Sequence, residues 1–238
     1  MNLIKKAARH FGYDLRKHYK VPTDDSQSTI LNVINYYRID LILDVGANVG
    51  QFGRELRQSG YAGELHSFEP VDNTFKQLQA NSADDSNWFC HHMALGASSG
   101  VRTINLMGSS DFSSFNEPSD FGTRRFKKLR VEGTEEVTMS TVSHFIQERK
   151  LESRRILLKM DTQGHDLEVL AGAKESLSSI PAIQTEISLT PLYSGAPSYL
   201  ESLKTFGDLG YSIAGLHPVN KSEDLSIIEM DCLAVARP

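Results

Sequence analysis

The ten residues LILDVGANVG, at positions 41–50, set a run of strand formers directly against a glycine-rich turn. Leu41, Ile42, Leu43 and Val45 are nearly unbroken apolar, the pattern of a strand covered on both faces of a parallel sheet. Gly46 lets the backbone turn tightly and approach a ligand with no Cβ in the way. A helix is expected from about Gly50 to Ser59. Its free N-terminal N–H groups and positive dipole end face the same turn.

Working outward, the same strand–helix unit recurs. TILNVINYYRI has a helical pattern and precedes the first strand. ELHSFEP reads as a strand, DNTFKQLQAN as a helix and WFCHHMAL as a strand. Residues 101–107 and 136–140 read as short strands flanking a long insertion. Helix TVSHFIQERK, strand RILLKMD, helix HDLEVLAGAKESL and strand AIQTEI follow, then a helix over roughly residues 197–209. Alternation of this kind implies right-handed crossovers and a parallel sheet. The last strands, YSIAGL and IIEMDCLAVA, are separated by PVNKSEDLS, which is too short for a helical crossover. They therefore pair as an antiparallel hairpin. An α/β fold with a mostly parallel sheet ending in such a hairpin is, by fold analogy, Rossmann-like of the class I methyltransferase type.

The chain has 238 residues, enough for one α/β domain with short extensions. Two regions are expected: a basic N-terminal arm over residues 1–28 and the main domain over 29–238. Lys5, Lys6, Arg9, Arg16, Lys17 and Lys20 face only Asp14 in the arm's first twenty positions. Leu3, Ile4, Ala7, Ala8, Phe11 and Leu15 recur at helical spacing. The reading favoured for this amphipathic helix is docking on the protein's own domain or a second subunit, which leaves a homo-oligomer open. The other is peripheral contact with an inner membrane surface. Net charge is −5, from 25 Lys and Arg against 30 Asp and Glu, and this argues against a nucleic-acid partner. Cys90 and Cys232 lack metal or disulfide spacing and read as buried free thiols of a reducing compartment. No apolar stretch approaches the roughly 18 residues of a membrane span. The first residues lack the apolar core of a secretory signal, so the expected setting is the cytoplasm.

The turn at 44–50 chooses between two cofactor chemistries. A dinucleotide needs a glycine where the backbone meets its pyrophosphate, and here that place is Asn48. An NAD(P)-dependent oxidoreductase is therefore disfavoured. S-adenosylmethionine has no pyrophosphate and carries an ammonium and a sulfonium, so the acid Asp44 is useful at the strand end. Gly46, Ala47 and Asn48 would form the turn against it. Glu69 follows Asp44 by 25 residues, one βαβ step, in Ser67-Phe68-Glu69-Pro70. An acid there accepts both hydroxyls of a ribose. Met93 and Ala94 end the third strand, where the turn flanks an adenine and Met93 offers a polarizable contact. The fourth and fifth strands end at Asp161 and at Thr185-Glu186, which brings two carboxylates to one pocket. They read as Mg2+ ligands, or as Asp161 orienting an acceptor while His165 acts as base. Lys159 points away from its strand neighbours, toward an acid.

DVGANVGQFG, SFEP, LLKMDTQGHDLEVLAGA and the strand carrying TEIS together resemble the FkbM-type family of S-adenosylmethionine-dependent methyltransferases, from about Ile39 onward. The resemblance implies O-methylation of a sugar, glycan or other natural-product hydroxyl. By position, Asp44, Gly46 and Glu69 match the family's cofactor motifs and Asp161 matches its strand-end acid. Gln163 stands where many members carry Glu, which removes one carboxylate. A non-catalytic scaffold binding the same ligand is the alternative. On the acceptor side, residues 108–135 hold Phe112, Phe115, Phe121 and Phe126 beside Arg124, Arg125, Lys127, Lys128 and Arg130. The two readings are a sugar- or phosphate-binding lid and a local core beneath a solvated charge run. Tyr193, after the fifth strand, is placed to face a ligand.

Overall fold

A computed structural model describes residues 26–237. The arm expected over residues 1–28 lies outside them, except for its last three positions. These open helix α1 (Ser26–Tyr37), which precedes strand β1 (Leu41–Val45). Helix α2 (Gln51–Gln58), strand β2 (Glu64–Phe68), helix α3 (Asp72–Ser82) and strand β3 (Trp88–His91) complete the first half. Strands β4 (Ala94–Leu95), β5 (Gly100–Met107) and β6 (Val131–Ser140) enclose helix α4 (Asp120–Arg125). The second half runs through helix α5 (Val142–Glu148), strand β7 (Ile156–Met160), helix α6 (Asp166–Gly172), strand β8 (Ala182–Ser188) and helix α7 (Tyr199–Asp208). Strands β9 (Tyr211–Lys221) and β10 (Ile227–Ala236) end it.

The main sheet has the order β3-β2-β1-β7-β8-β10-β9. Pairing is parallel from β3 to β8, and β10 lies antiparallel between β8 and β9. This is the expected mostly parallel, Rossmann-like class I methyltransferase arrangement with its antiparallel end. Every residue of β1 and β7 is buried, because helices cover both faces. Leu43, Leu158 and Ile183 pack against Val142, Phe145, Val169 and Phe206 from α5, α6 and α7. Ile42, Leu157 and Ala182 pack on the opposite face against Ile30, Leu56 and Leu78 from α1, α2 and α3.

Three element boundaries differ from the sequence reading. WFCHHMAL is two strands: β3 stays in the main sheet, and β4 pairs with Met139 and Ser140 of β6 in a separate three-stranded sheet. The break falls where β2 ends, since His91 is the partner of Phe68 and no further parallel neighbour remains. Residues 131–135 of the expected insertion belong to β6, so the irregular part is the tip of the β5–β6 hairpin. β9 continues past YSIAGL through Pro218 to Lys221. An edge strand tolerates proline because one side of its backbone has no ladder partner. Cys90 and Cys232 are free, but Cys90 is only half-buried. Among the described residues, no helix is long and apolar enough to cross a membrane.

Candidate active site

The turn after β1 is built by backbone hydrogen bonds. The N–H groups of Gly46 and Ala47 both donate to the Phe68 carbonyl, each at 3.0 Å. Gly46 has φ +75°, and a Cβ there would lie 2.0 Å from the Asp161 carbonyl oxygen. Only glycine satisfies both the left-handed conformation and that approach. Asn48 also has positive φ, and its N–H donates to Glu69 Oε2 at 3.0 Å. Glu69 Oε1 accepts the Val71 N–H at 2.9 Å. Burial, opposed by these two N–H groups, pushes the Glu69 carboxyl up to about 7.

Glu69 faces a cavity of about 520 Å³ at the carboxyl ends of the strands. Gly46, Ala47, Asn48, Pro70 and Ala94 line the same space. Asp44 and Met93 are not among the lining residues. Asp44 is fully buried behind the wall, where it accepts from the Ser67 hydroxyl at 2.9 Å and pairs with Lys159 Nζ at 3.0 Å. Ser67, Asp44, Lys159 and Gln184 are register neighbours across β2, β1, β7 and β8. Asp44 thus neutralises a buried lysine instead of touching the cavity. Its carboxylate, with Asp161, holds the Lys159 ammonium charged against the desolvation of its site. Met93 packs against the core that α5 and α6 cover.

Asp161 reaches the cavity from the end of β7, with its side chain 44% exposed. Its Oδ1 accepts Gln163 Nε2 at 2.9 Å, and Gln163 Oε1 lies 2.9 Å from the Tyr193 hydroxyl. The glutamine that replaces an expected acid therefore aims Asp161 through a neutral amide. Tyr193 does not face the cavity. It is buried beside Leu129, Leu192 and Ile228, and its hydroxyl donates to the Phe112 carbonyl at 2.8 Å. Asp166 accepts the Thr162 N–H and hydroxyl at 3.0 and 2.8 Å, closing the turn into α6.

His165 is not among the cavity-lining residues. It is buried against Phe115, with ring centroids 5.0 Å apart, and Arg102 lies 3.5 Å from its Nε2. Burial and that guanidinium push the imidazole down to about 4. Phe115 lines the cavity wall and its ring lies against His165, which does not line the cavity itself. The insertion's phenylalanines are mostly local core: Phe112, Phe121 and Phe126 surround Leu129 and Leu192.

Glu186 lines the cavity as expected, on the strand beside Asp161. Burial and the neighbouring charges of Asp161, Glu229 and Asp231 raise its carboxyl well above the usual range. Gln184, Glu229 and Asp231 are among the lining residues that sequence reading did not single out. A signal was present: Glu229 and Asp231 stand two apart in an otherwise apolar strand, which puts them on one face. Among the described residues, no group of three His, Cys, Asp or Glu is placed to hold a metal ion. Asp161 and Glu186, read as Mg2+ ligands, thus have no third His, Cys, Asp or Glu placed to join them among the described residues.

Comparison with known proteins gives a family and several relatives. The family described as Methyltransferase FkbM domain matches residues 44–213, from the buried acid of β1 into β9. Hexuronic acid methyltransferase AglP of Haloferax volcanii is 30% identical over 152 residues, 62% of this chain and 56% of that protein. The 2-O-methyltransferase NoeI of Sinorhizobium fredii is 28% identical over 162 residues, 65% of this chain and 66% of that protein. The chain thus spans only 56% and 66% of the lengths of these relatives. Among solved structures, magnesium protoporphyrin IX methyltransferase from Synechocystis PCC 6803 aligns over 98% of this chain and 90% of its own, at 13% identity and TM-score 0.47. Because the family match takes in the turn at Gly46, Glu69, Asp161 and Glu186, the chain belongs to the FkbM methyltransferase family.

Proposed function

We propose that the cavity binds S-adenosylmethionine and that the chain transfers its methyl group to a hydroxyl oxygen of a sugar or glycan. The observation that carries this reading is the presence of Glu69 and Asp161 in one cavity, at the ends of the two strands that flank β1. Each Glu69 oxygen accepts one backbone N–H and keeps acceptor capacity, which suits the two hydroxyls of a ribose. Asn48 Oδ1, also in the wall, is buried with no hydrogen-bond partner and offers a further acceptor. The bound cofactor supplies an electrophilic methyl on its sulfonium.

The chain's own residues orient the acceptor and move its proton. Asp161, fixed by Gln163, accepts the hydrogen bond of the acceptor hydroxyl. As the oxygen–methyl bond forms and the sulfur–methyl bond breaks, the hydroxyl proton passes to Asp161. Its partial exposure lets that proton reach solvent. Alignment of the oxygen with the methyl supplies a large share of the acceleration. The names of the two relatives, a hexuronic acid methyltransferase and a 2-O-methyltransferase, support oxygen of a sugar as the acceptor. The free thiols of Cys90 and Cys232 support a reducing setting such as the cytoplasm.

Methyl-labelled S-adenosylmethionine incubated with a panel of glycosides and glycan extracts tests the proposal. Label should move to sugar oxygen. Asp161→Asn should lower turnover by about 10²-fold, the scale of a general-base contribution, with S-adenosylhomocysteine affinity nearly unchanged. Failure to bind S-adenosylhomocysteine, or near-normal turnover in the variant, refutes the corresponding part. Activity that EDTA abolishes and Mg2+ restores would return a metal to the Asp161–Glu186 pair.

A further inference from the structure

One wall of the cavity is acidic well beyond what cofactor binding uses. Glu186 and Asp231 are direct register partners on β8 and β10, and Glu229 lies one pleat further along β10. All three line the cavity with Asp161. They stand two and three strands from β1, about 10 and 14 Å at the usual spacing, on the side away from Glu69. Among the described residues, Lys159 is the one basic side chain in the lining, and it is already paired with Asp44.

Three neighbouring donors already serve two of these carboxylates. Ser26 donates its hydroxyl to Asp231 at 3.0 Å, and Asn220 donates its amide to Glu229 at 2.8 Å. Ser188 contributes a longer bond to Glu229, at 3.3 Å. Gln184 is an independent sign of a missing ligand. It is only 7% exposed, it lines the cavity, and its Oε1 has no hydrogen-bond partner. Leaving a buried acceptor unpaired is unfavourable unless something in the cavity donates to it. Beyond the Gln184 amide, few donors in this wall stay free, and Lys159 and His217, which act on Asp231, leave the four acids in excess.

We infer that Gln184, Glu186, Glu229 and Asp231 form an acceptor subsite for a sugar that carries an ammonium group. An ammonium has three N–H donors and no acceptor, so it answers both deficits at once. A neutral sugar supplies donors but leaves the mutual repulsion of the carboxylates in place. A uronate or a phosphorylated sugar adds to that repulsion. Burial and the charge of Asp161 hold the Glu186, Glu229 and Asp231 carboxyls toward their neutral forms, with Lys159 and His217 opposing this at Asp231, and a bound cation favours the charged forms. Binding of such a sugar thus releases protons. The assignment of this ligand as a methyl acceptor rests on the function proposed above.

Calorimetry on the full chain tests the subsite, using the methyl glycosides of glucosamine, glucose and glucuronate near neutral pH with saturating S-adenosylhomocysteine. The glucosaminide should bind more tightly than the glucoside by roughly tenfold, the scale of one charge-assisted hydrogen bond. The glucuronide should bind weakest. Repeating the titration in buffers of different ionisation enthalpy should show proton release with the glucosaminide. Glu229→Gln combined with Asp231→Asn should remove the preference and leave S-adenosylhomocysteine affinity unchanged, which also shows that the variant is folded. The inference is overturned if the glucuronide binds as well as the glucosaminide, or if no glycoside binds while S-adenosylhomocysteine does. It is also overturned if the variant loses the nucleoside instead, because the carboxylates then hold the cofactor's own ammonium. Failure of S-adenosylhomocysteine to bind the parent protein rejects the methyl-transfer reading alone, and the glycoside ranking still reports on the subsite.

Discussion

Glu69 holds two backbone N–H groups while burial draws its carboxyl toward the neutral form. A ribose diol is best accepted by the charged form. With the free protein's carboxyl near pH 7, cofactor affinity should weaken as pH falls through that value, since a proton must then be displaced on binding. Glu69→Ala should cost roughly 1.5–3 kcal/mol of cofactor affinity, the worth of hydrogen bonds to a charged group. S-adenosylhomocysteine titrations of both proteins above and below neutrality check the two expectations together. Asp44 has the opposite task. It does not line the cavity, and it pairs with Lys159, so Asp44→Asn should cost stability of about 3 kcal/mol or more by leaving a buried ammonium short of its partner. Denaturant unfolding measures this directly. The type and position of Asp44 were legible, but its role was not. A strand-end acid in sequence looks the same whether its carboxylate meets a ligand or a lysine on the next strand.

At the scale of elements, α6 carries the loop that holds Asp161, Gln163 and Asp166, and its far end is set by a close approach. A Cβ on Gly172 would lie 2.0 Å from the Gly96 carbonyl oxygen, in the loop after β4. Gly172→Ala should therefore destabilise by about 1–3 kcal/mol, the cost of overpacking. That exceeds the gain of up to about 1 kcal/mol in helix propensity. A thermal melt of the variant against the parent decides the sign. The same element explains the displacement of His165. As the residue before α6 it sits where the three-stranded sheet packs, and Arg102 of β5 and Phe115 of the hairpin tip close over it. Helices and strands around it were readable from periodicity. The second sheet was not, because β4 is two residues long and its partner β6 lies more than forty positions later.

Across the whole molecule, stability should concentrate in the strands that helices cover on both faces. Amides of β1, β7 and β8 should exchange with solvent most slowly, and those of edge strand β9 and of the β5–β6 hairpin early. Hydrogen exchange read by mass spectrometry would reject this if the edges were protected as long as the centre. The unbroken apolar strands, the glycine turn, the short final connection and the spacing of Glu69 from Asp44 already determined the class of fold and that the Gly46 turn and Glu69 meet in one cavity. Those features are local, because a strand's burial and a turn's backbone conformation follow from a few consecutive residues. Only the tertiary structure decided that Asp44 serves Lys159, that His165 lies behind Phe115, and that Glu229 and Asp231 join Glu186 in one wall. For Asp44, Glu186, Glu229 and Asp231 this depends on register between strands far apart in the chain, and a shift of one residue would turn each of those side chains to the other face.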